Sequence, residues 1–214
     1  MVIRLYYYPS YISLAPHILL EELGEPYELV FVDRYAGAHK RADYLALNPN
    51  GLIPVLIDGP LVVYEAGAIC LHLSDTHPQA GLMPALGSAE RAHAYKWLLW
   101  LGTGLQLALS NYLHPSRWAL SDGAQGELRT SAEAAVARHF DILDEYLAGK
   151  SGPWLTGADY SIVDAYALTL CRWSRRMERP GASWPHVGPY AGHVLERPAV
   201  QRALAQEHLA QPWI

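Results

Sequence analysis

The chain has 214 residues, of which 51% are hydrophobic and 17% are charged, and its formal net charge is -5. This length supports one large domain or two small ones, and the composition is typical of a globular protein in water. The mildly negative charge, without a cluster of Lys and Arg, argues against nucleic acid or an anionic membrane as the main partner.

We expect a cytoplasmic protein from three features. Residues 1–4 run directly into a strand-like segment and carry no sign of a signal peptide. The most apolar run, residues 97–109, is broken by two glycines and a glutamine and is too short to span a bilayer. Cys70 and Cys171 lie far apart in apolar helical patterns, which favours buried free thiols in a reducing compartment.

The amino-terminal third predicts alternating strands and helices. Residues 2–8 are rich in β-branched and aromatic side chains and end at a proline, which is typical of a strand. Residues 14–23 have helical spacing and are followed by a glycine stop. Residues 26–33 alternate as a second strand, and residues 34–47 are polar and then weakly helical.

A turn and a hairpin follow. Residues 48–51 (Asn-Pro-Asn-Gly) predict a turn, because Asn and Gly accept positive φ and Pro fixes a bend. Residues 52–57 are a β-prone run in which Pro54 cannot donate to a sheet ladder, so Pro54 lies at the first residue or on an edge. The Asp-Gly pair at 58–59 predicts a hairpin, with residues 61–63 as the return strand.

The strand edge at Pro54 and the helix after the hairpin together suit a small zwitterionic peptide. A strand that begins with unpaired backbone can pair with an extended peptide. Free N–H groups at the helix start attract an anion, whereas the Glu65 carboxylate attracts an ammonium group. The sequence therefore predicts a peptide-binding groove here.

Beyond residue 89 the pattern is helical almost throughout, and residues 78–88 form a break rich in proline and glycine. Residues 89–109 and 125–147 read as long amphipathic helices. Ser161 and Asp164 form an S-x-x-D capping box, which we assign to folding and not to catalysis. The predicted organisation is a domain of residues 1–77, a linker of residues 78–88 and a helical domain of residues 89–214.

These motifs resemble those of the glutathione transferase family. The N-P-x-G-x-[IV]-P-x-L run at 48–56 and the following acidic helix turn resemble its glutathione site, and the capping box and the E-R-P-x-V-x-x-A-L run at 196–204 resemble its helical domain. The resemblance covers nearly the whole chain in order and spacing. It implies an α/β thioredoxin-like domain of order βαβ-α-ββα followed by an all-α helical bundle. It also implies glutathione as substrate and a homodimer.

The resemblance implies a set of glutathione-binding residues. In the family the proline is cis and the residue before it bonds glutathione's cysteinyl backbone, which gives Pro54 and Ile53 here. Glu65 would contact the γ-glutamyl end, and Lys40 is a further expected contact. Ala66 replaces the usual Ser or Thr, and the lost hydroxyl bond would cost roughly 1.5–3 kcal/mol if nothing replaces it.

A hydroxyl donor is expected between the first strand and the first helix, because helix N-terminal N–H groups and a hydroxyl both favour a thiolate. One register resembles the tyrosine-type classes and makes Tyr7 the donor. A longer one resembles the bacterial beta-class pattern Y-x-P-x-x-C-S-L-x-x-H-I, with Ile12 in place of the cysteine and Ser13 beside it. We expect Ser13 first, Tyr7 second and Ser10 as a further catalytic candidate.

Each donor has a structural alternative. Ser13 is equally suited to be a helix N-cap, and Tyr7 to be a core aromatic. We expect His17 to be a histidine on the helix surface, or one whose hydrogen bonds are satisfied within the protein, and not a general base.

The pocket for a small hydrophobic electrophile is expected where the helical domain faces Ser13. Gln106 falls where beta-class relatives have a histidine, and an amide can donate a hydrogen bond but cannot act as a base. Arg117 suits either an anionic substrate or a surface ion pair. The expected lining residues are Tyr11, Ile12, Gln106, Tyr112, Arg117 and Trp173.

We expect glutathione conjugation with no metal and no nucleic-acid or membrane partner. No His or Cys spacing suits zinc, and the first domain lacks a C-x-x-C motif for a disulfide reductase. A binding or scaffold protein on the same fold remains an alternative, as does a glutathione-dependent isomerase or dehalogenase. The scaffold alternative rests on four departures from the beta-class site, at Ile12, Ala66, Leu99 and Gln106.

Overall fold

A computed structural model of the chain describes residues 2–214. The elements of its amino-terminal part are β1 (Ile3–Tyr7), α1 (Leu14–Leu23), β2 (Tyr27–Phe31), α2 (Ala42–Leu45), β3 (Val55–Asp58), β4 (Leu61–Tyr64) and α3 (Ala66–Thr76). The later elements are α4 (Ala89–Trp100), a π-helical turn (Leu101–Leu105), α5 (Gln106–Leu113), α6 (Asp122–Gly149), α7 (Ile162–Ser174), α8 (Val187–Leu195) and α9 (Pro198–Gln206). No helix among residues 2–214 has the length and apolarity needed to cross a membrane.

The strands form one sheet in the order β2-β1-β3-β4. β1 pairs in parallel with β2 and antiparallel with β3, and β3 pairs antiparallel with β4. Gly24 ends α1 at φ 69°, and Gly59 makes the β3–β4 turn at φ 58°, both in the left-handed region that glycine adopts without strain. The predicted thioredoxin-like order followed by a helical bundle is confirmed.

The long helical segment that begins at residue 89 is interrupted by a π-helical turn. The π-helical turn Leu101–Leu105 separates α4 from α5, and α5 continues to Leu113 rather than stopping at residue 109. A methyl group on Gly104 would lie 2.7 Å from His139 Nε2, so glycine is what lets this turn approach α6 closely. The extra residue in the turn rotates the positions that follow it.

The capping box is present at the start of α7. Ser161 Oγ accepts from the Val163 N–H at 3.3 Å, and Asp164 Oδ2 accepts from the Ser161 N–H at 2.8 Å. Asp164 Oδ1 also accepts from the Leu155 N–H and from the Tyr190 hydroxyl, at 2.8 and 2.7 Å. Burial raises the pKa of Asp164, and these hydrogen bonds oppose the shift. Asp164 therefore joins the start of α7 by hydrogen bonds to the segment before it, at Leu155, and to α8, at Tyr190.

Helix α1 lies at the centre of the largest buried cluster, which joins the sheet to helices of both parts of the chain. Its residues pack against α3, α7 and α9. A smaller cluster on the other face of the sheet contains Ile53, Val55 and Tyr44. Because Ile53 belongs to that cluster, the chain just before β3 is fixed in place by packing.

Candidate functional site

A cavity of about 460 Å³ lies between the sheet and the helical bundle. The loop after β1, the loop after β2 and the segment before β3 form one side, and α5 and the end of α7 form the other. A larger cavity of about 680 Å³ lies elsewhere, around residues 80–84 and 156–161, and contains none of the predicted thiolate-stabilising or glutathione-binding residues. The smaller cavity is therefore the candidate site.

Ile53 presents open backbone on the wall of this cavity. The Ile53–Pro54 peptide bond is cis, as the resemblance implies. The neighbouring Leu52 carbonyl accepts from Tyr44 Oη and from Asn48 Nδ2, both at 2.8 Å. The Ile53 N–H and C=O, by contrast, make no hydrogen bond to any described residue. Tyr44 and Asn48 therefore fix this segment through Leu52, while the N–H and C=O of Ile53 remain available to an extended peptide.

The start of α3 lies beyond the cavity wall. Glu65 is exposed and precedes the helix at φ 71°, a conformation that a non-glycine residue adopts only at a cost of about 1–3 kcal/mol. Ala66 is the first residue of α3 and is 5% exposed. On the opposite side, the exposed Lys40 donates from Nζ to the Asn50 carbonyl at 3.3 Å. None of Glu65, Ala66 and Lys40 is among the residues that line the cavity.

The loop after β1 is held at Ser10 by residues from the helical part. Ser10 has φ 63°, and its N–H donates to Glu207 Oε2 at 2.8 Å. Its hydroxyl accepts from Arg172 Nε at 3.0 Å, and its carbonyl accepts from Trp173 Nε1 at 2.9 Å. These three contacts stabilise a left-handed conformation that is unusual for serine.

Glu207 and Arg172 were not found from the sequence. Glu207 is 2% exposed, and its second oxygen lies 2.9 Å from Nδ1 of the fully buried His17. Burial, together with the nearby Arg175, lowers the pKa of Arg172 to about 10, and Glu207 opposes the shift. Since His17 also contacts the hydroxyl of Tyr27 at 3.1 Å, it is a satisfied interior histidine and does not reach the cavity.

Ser13 and Tyr7, the two leading donors, do not line the cavity. Ser13 is fully buried, and its hydroxyl donates to the Tyr8 carbonyl at 3.1 Å while accepting from the Tyr8 N–H at 3.4 Å. It makes no side-chain cap on α1, so the hydroxyl is neither a cap nor free. Tyr7 packs against the rings of His17 and Phe31, and burial, followed by the Glu207 charge, raises its pKa.

Ser10, Tyr11 and Ile12 do line the cavity. The Ser10 hydroxyl accepts from Arg172 and so keeps its own proton for another acceptor. The Tyr11 hydroxyl accepts from Arg34 Nη1 in the same way. Burial raises the pKa of Tyr11, and the guanidinium groups of Arg34 and Arg117 oppose the shift. Two protonated hydroxyls therefore lie on the wall beside the loop.

Helix α5 lines the cavity with Gln106, Ser110 and Leu113, which lie one helical turn apart. Gln106 Oε1 accepts from the Tyr166 hydroxyl. The amide nitrogen of Gln106 has no acceptor among the described residues, so it remains a hydrogen-bond donor.

Tyr112, expected to line the pocket, and Leu99, which was compared with an asparagine of beta-class relatives, lie away from the cavity. Tyr112 points toward α6, where the guanidinium of Arg129 lies 5.9 Å from its ring centre. Leu99 is 63% exposed and is not on the wall either. Trp173 and Arg117 do line the cavity. The expected pocket residues are thus brought together except for Tyr112.

The buried thiols take no part in this cavity. Cys70 and Cys171 are fully buried and unpaired, and burial raises the pKa of both. Among residues 2–214 no group of three His, Cys, Asp or Glu side chains is arranged to hold a metal ion.

A thioredoxin-like sheet whose cis-proline edge opens into a cavity shared with a helical bundle is the architecture expected of a glutathione transferase. Residues 1–75 match the family model described as glutathione S-transferase, N-terminal domain. Residues 106–197 match the model described as glutathione S-transferase, C-terminal domain. The chain therefore belongs to the glutathione S-transferase family.

Individual relatives agree over nearly the full length. Glutathione S-transferase GstA of Escherichia coli O157:H7 is 31% identical over 209 residues, covering 96% of this chain and 99% of the relative. A bacterial beta-class glutathione S-transferase from Sphingomonas chungbukensis is 32% identical with a TM-score of 0.84, covering 97% of this chain and 100% of that one. A glutathione transferase homologue from Sulfitobacter, crystallised with bound glutathione, is 26% identical with a TM-score of 0.89, covering 97% and 99%.

Proposed function

We propose that this protein binds reduced glutathione and transfers it to a small electrophile with an apolar body. The observation that carries the proposal is the open backbone of Ile53 on the wall of the cavity. The hydroxyls of Ser10 and Tyr11 lie on the same wall. The backbone of Ile53 can position the peptide, and the hydroxyls can stabilise its thiolate by hydrogen bonds.

In the proposed pose, glutathione extends the sheet beside Ile53. Its γ-glutamyl carboxylate reaches the N–H groups at the start of α3, and its ammonium group reaches Glu65. Its glycyl end runs the other way, toward Gly51 and the flanking Lys40. Because Ala66 offers only its N–H, we expect weaker binding of the γ-glutamyl end than a hydroxyl at this position would give.

We propose Ser10 and Tyr11 ahead of Ser13 as the groups that stabilise the thiolate. Both have a proton to donate, whereas the proton of Ser13 is bonded to the Tyr8 carbonyl. Glutathione loses its thiol proton to solvent on binding. The thiolate sulfur then forms a bond to the electrophilic carbon, and the leaving group departs with its bonding electron pair. No base is needed, since the protein stabilises and orients the thiolate.

Calorimetric titration with glutathione tests whether the protein binds glutathione. We expect wild type to bind at millimolar or better affinity and Glu65→Gln to bind at least tenfold more weakly, which corresponds to about 1.4 kcal/mol. Glu28→Gln is the matched control, since Glu28 is exposed on β2 away from the cavity. A flat wild-type titration would refute glutathione binding.

Turnover of chlorodinitrobenzene tests the thiolate donors. We expect Tyr11→Phe or Ser10→Ala to lower kcat/KM by about 10- to 100-fold, the effect of losing one hydrogen bond to a developing charge. Ser13→Ala should retain most activity. A dead Ser13→Ala with active Ser10→Ala and Tyr11→Phe would restore Ser13 as the donor.

A binding protein without transferase activity is the second candidate. Two observations favour it: the hydroxyl usual after Glu65 is absent at Ala66, and the Ser13 hydroxyl is engaged with Tyr8. Glutathione binding without turnover of any of several electrophiles would establish this candidate instead.

A further inference from the structure

The charge in the cavity has one sign. Among residues 2–214, those lining the cavity include four arginines and two histidines and no Asp or Glu, although the whole chain has 21 acidic residues and a net charge of -5. The basic lining residues are Arg34, His39, His114, Arg117, Arg175 and Arg176. A cavity of this kind concentrates a positive potential inside a negatively charged protein.

Arg34 and Arg117 line the cavity from opposite walls. Arg34 follows β2, and Arg117 ends a short 3₁₀ turn after α5. Neither forms an ion pair with a carboxylate anywhere in residues 2–214. Burial and the Arg34 charge lower the pKa of Arg117. A guanidinium group keeps its charge at neutral pH in proteins.

The histidine beside them does not add charge. Burial and the charges of Arg117 and Arg34 lower the pKa of His114 to about 4, so its ring is neutral at pH 7. The charges of both arginines therefore act on the pKa of His114 and of Tyr11. Two guanidinium groups that face one cavity without a carboxylate partner favour the binding of an anion there.

Neither the helix dipole nor the carboxylates of glutathione accounts for Arg34 and Arg117. Arg175 and Arg176 follow the last turn of α7, where cations complement the helix dipole. In the proposed pose, both carboxylates of glutathione lie at the ends of the Ile53 edge, at α3 and near Lys40. Arg34 and Arg117 are then left for a second molecule.

We propose that Arg34 and Arg117 bind an anionic oxygen group, a carboxylate or a sulfonate, on the electrophile. The substrate class is a small electrophile with an apolar body and an acid group, and this assignment rests on the proposed glutathione transfer. A guanidinium fork matches such a group bidentately. The Tyr11 hydroxyl lies beside the pair, and Ile12, Leu113 and Trp173 supply the surface for the apolar body.

Equilibrium binding of dinitrobenzoate and its neutral analogue dinitrobenzamide tests the anion site without needing turnover. We expect wild type, saturated with glutathione, to bind the benzoate at least tenfold more tightly, which is about 1.4 kcal/mol. Arg117→Gln should abolish this preference, and Arg117→Lys should keep part of it. Arg4→Gln, an equal charge change on the exposed face of β1, should leave it unchanged. Added salt should reduce it.

Two results would overturn the proposal. One is equal affinity of wild type for the benzoate and the amide. The other is competition between dinitrobenzoate and glutathione, which would assign the arginines to a glutathione carboxylate.

The same experiment separates this inference from the proposed function. If wild type fails to bind glutathione, dinitrobenzoate is titrated alone: a preference lost in Arg117→Gln leaves the anion site standing without the transferase. If glutathione binds and chlorodinitrobenzene is turned over, but the benzoate is not preferred, only the anionic substrate class is refuted.

Discussion

Replacing Glu207 by Gln should destabilise the protein through the loop after β1. The Glu207 carboxylate is 2% exposed and accepts from the Ser10 N–H at 2.8 Å, and its other oxygen contacts His17 at 2.9 Å. It also lies near the buried Arg172. Glutamine has the same shape and keeps one acceptor, but it removes the charge from both contacts.

The expected loss is about 2 kcal/mol, because hydrogen bonds to a charged group contribute roughly 1.5–3 kcal/mol and neutral ones about 1. For a chain of this size that corresponds to a fall in Tm of about 4–8 °C. Thermal and urea unfolding, followed by circular dichroism, measure it. The urea slope should not change, since the same surface is buried.

Glu196→Gln is the matched control. Its side chain is 78% exposed, and among the described residues its one ion pair is with His193 at 3.3 Å, so we expect a change below about 0.5 kcal/mol. Equal stability of Glu207→Gln and wild type would refute the idea that this carboxylate holds Ser10 in place.

Three further predictions concern the rest of the fold. Ser161→Ala should lower the free energy of unfolding by about 1 kcal/mol, the usual value of an N-cap, as measured by urea denaturation. Gly181→Ala should cost about 1–3 kcal/mol by overpacking, since the added methyl would lie 2.5 Å from Cζ of the fully buried Phe140; unchanged stability would show that the Phe140 ring moves freely. His114 has a folded pKa of about 4 against a usual 6.5, so the unfolded chain takes up a proton first and stability falls as the pH drops from about 6.5 to 4. The slope is at most about 1.4 kcal/mol per pH unit, less after solvent screening, and His114→Asn should remove it in unfolding curves measured across that range.

Local signals made most of the fold predictable. Gly24 and Gly59 mark turns because of the φ values they adopt, and the S-x-x-D pattern marks the start of α7. Helix α8 lies in the part of the chain predicted to be helical almost throughout, but its bounds were not predicted, and Gly188 and Pro189 near its start are typical of a turn. Gly188 is needed for a different reason: a methyl group there would lie 2.3 Å from the Ala182 carbonyl oxygen.

The site was predictable only where one segment builds it. The Ile53–Pro54 edge follows from its own sequence, whereas the environment of Ser10 depends on Glu207, which is 197 residues away in the chain. The hydroxyl of Ser13 was expected to be either a thiolate donor or a helix N-cap, but it donates instead to the Tyr8 carbonyl. Tyr112 was expected in the pocket as a plausible lining aromatic, but on α5 the cavity is lined by Gln106, Ser110 and Leu113, while the Tyr112 ring lies against Arg129 of α6.

The structure of the protein crystallised with reduced glutathione tests the proposed binding most directly. We predict a tripeptide laid beside Ile53, bonded through its cysteinyl backbone, with its ammonium group at Glu65 and its sulfur facing the hydroxyls of Ser10 and Tyr11. An empty groove at saturating glutathione, or a tripeptide bound with its sulfur directed away from that loop, would contradict it.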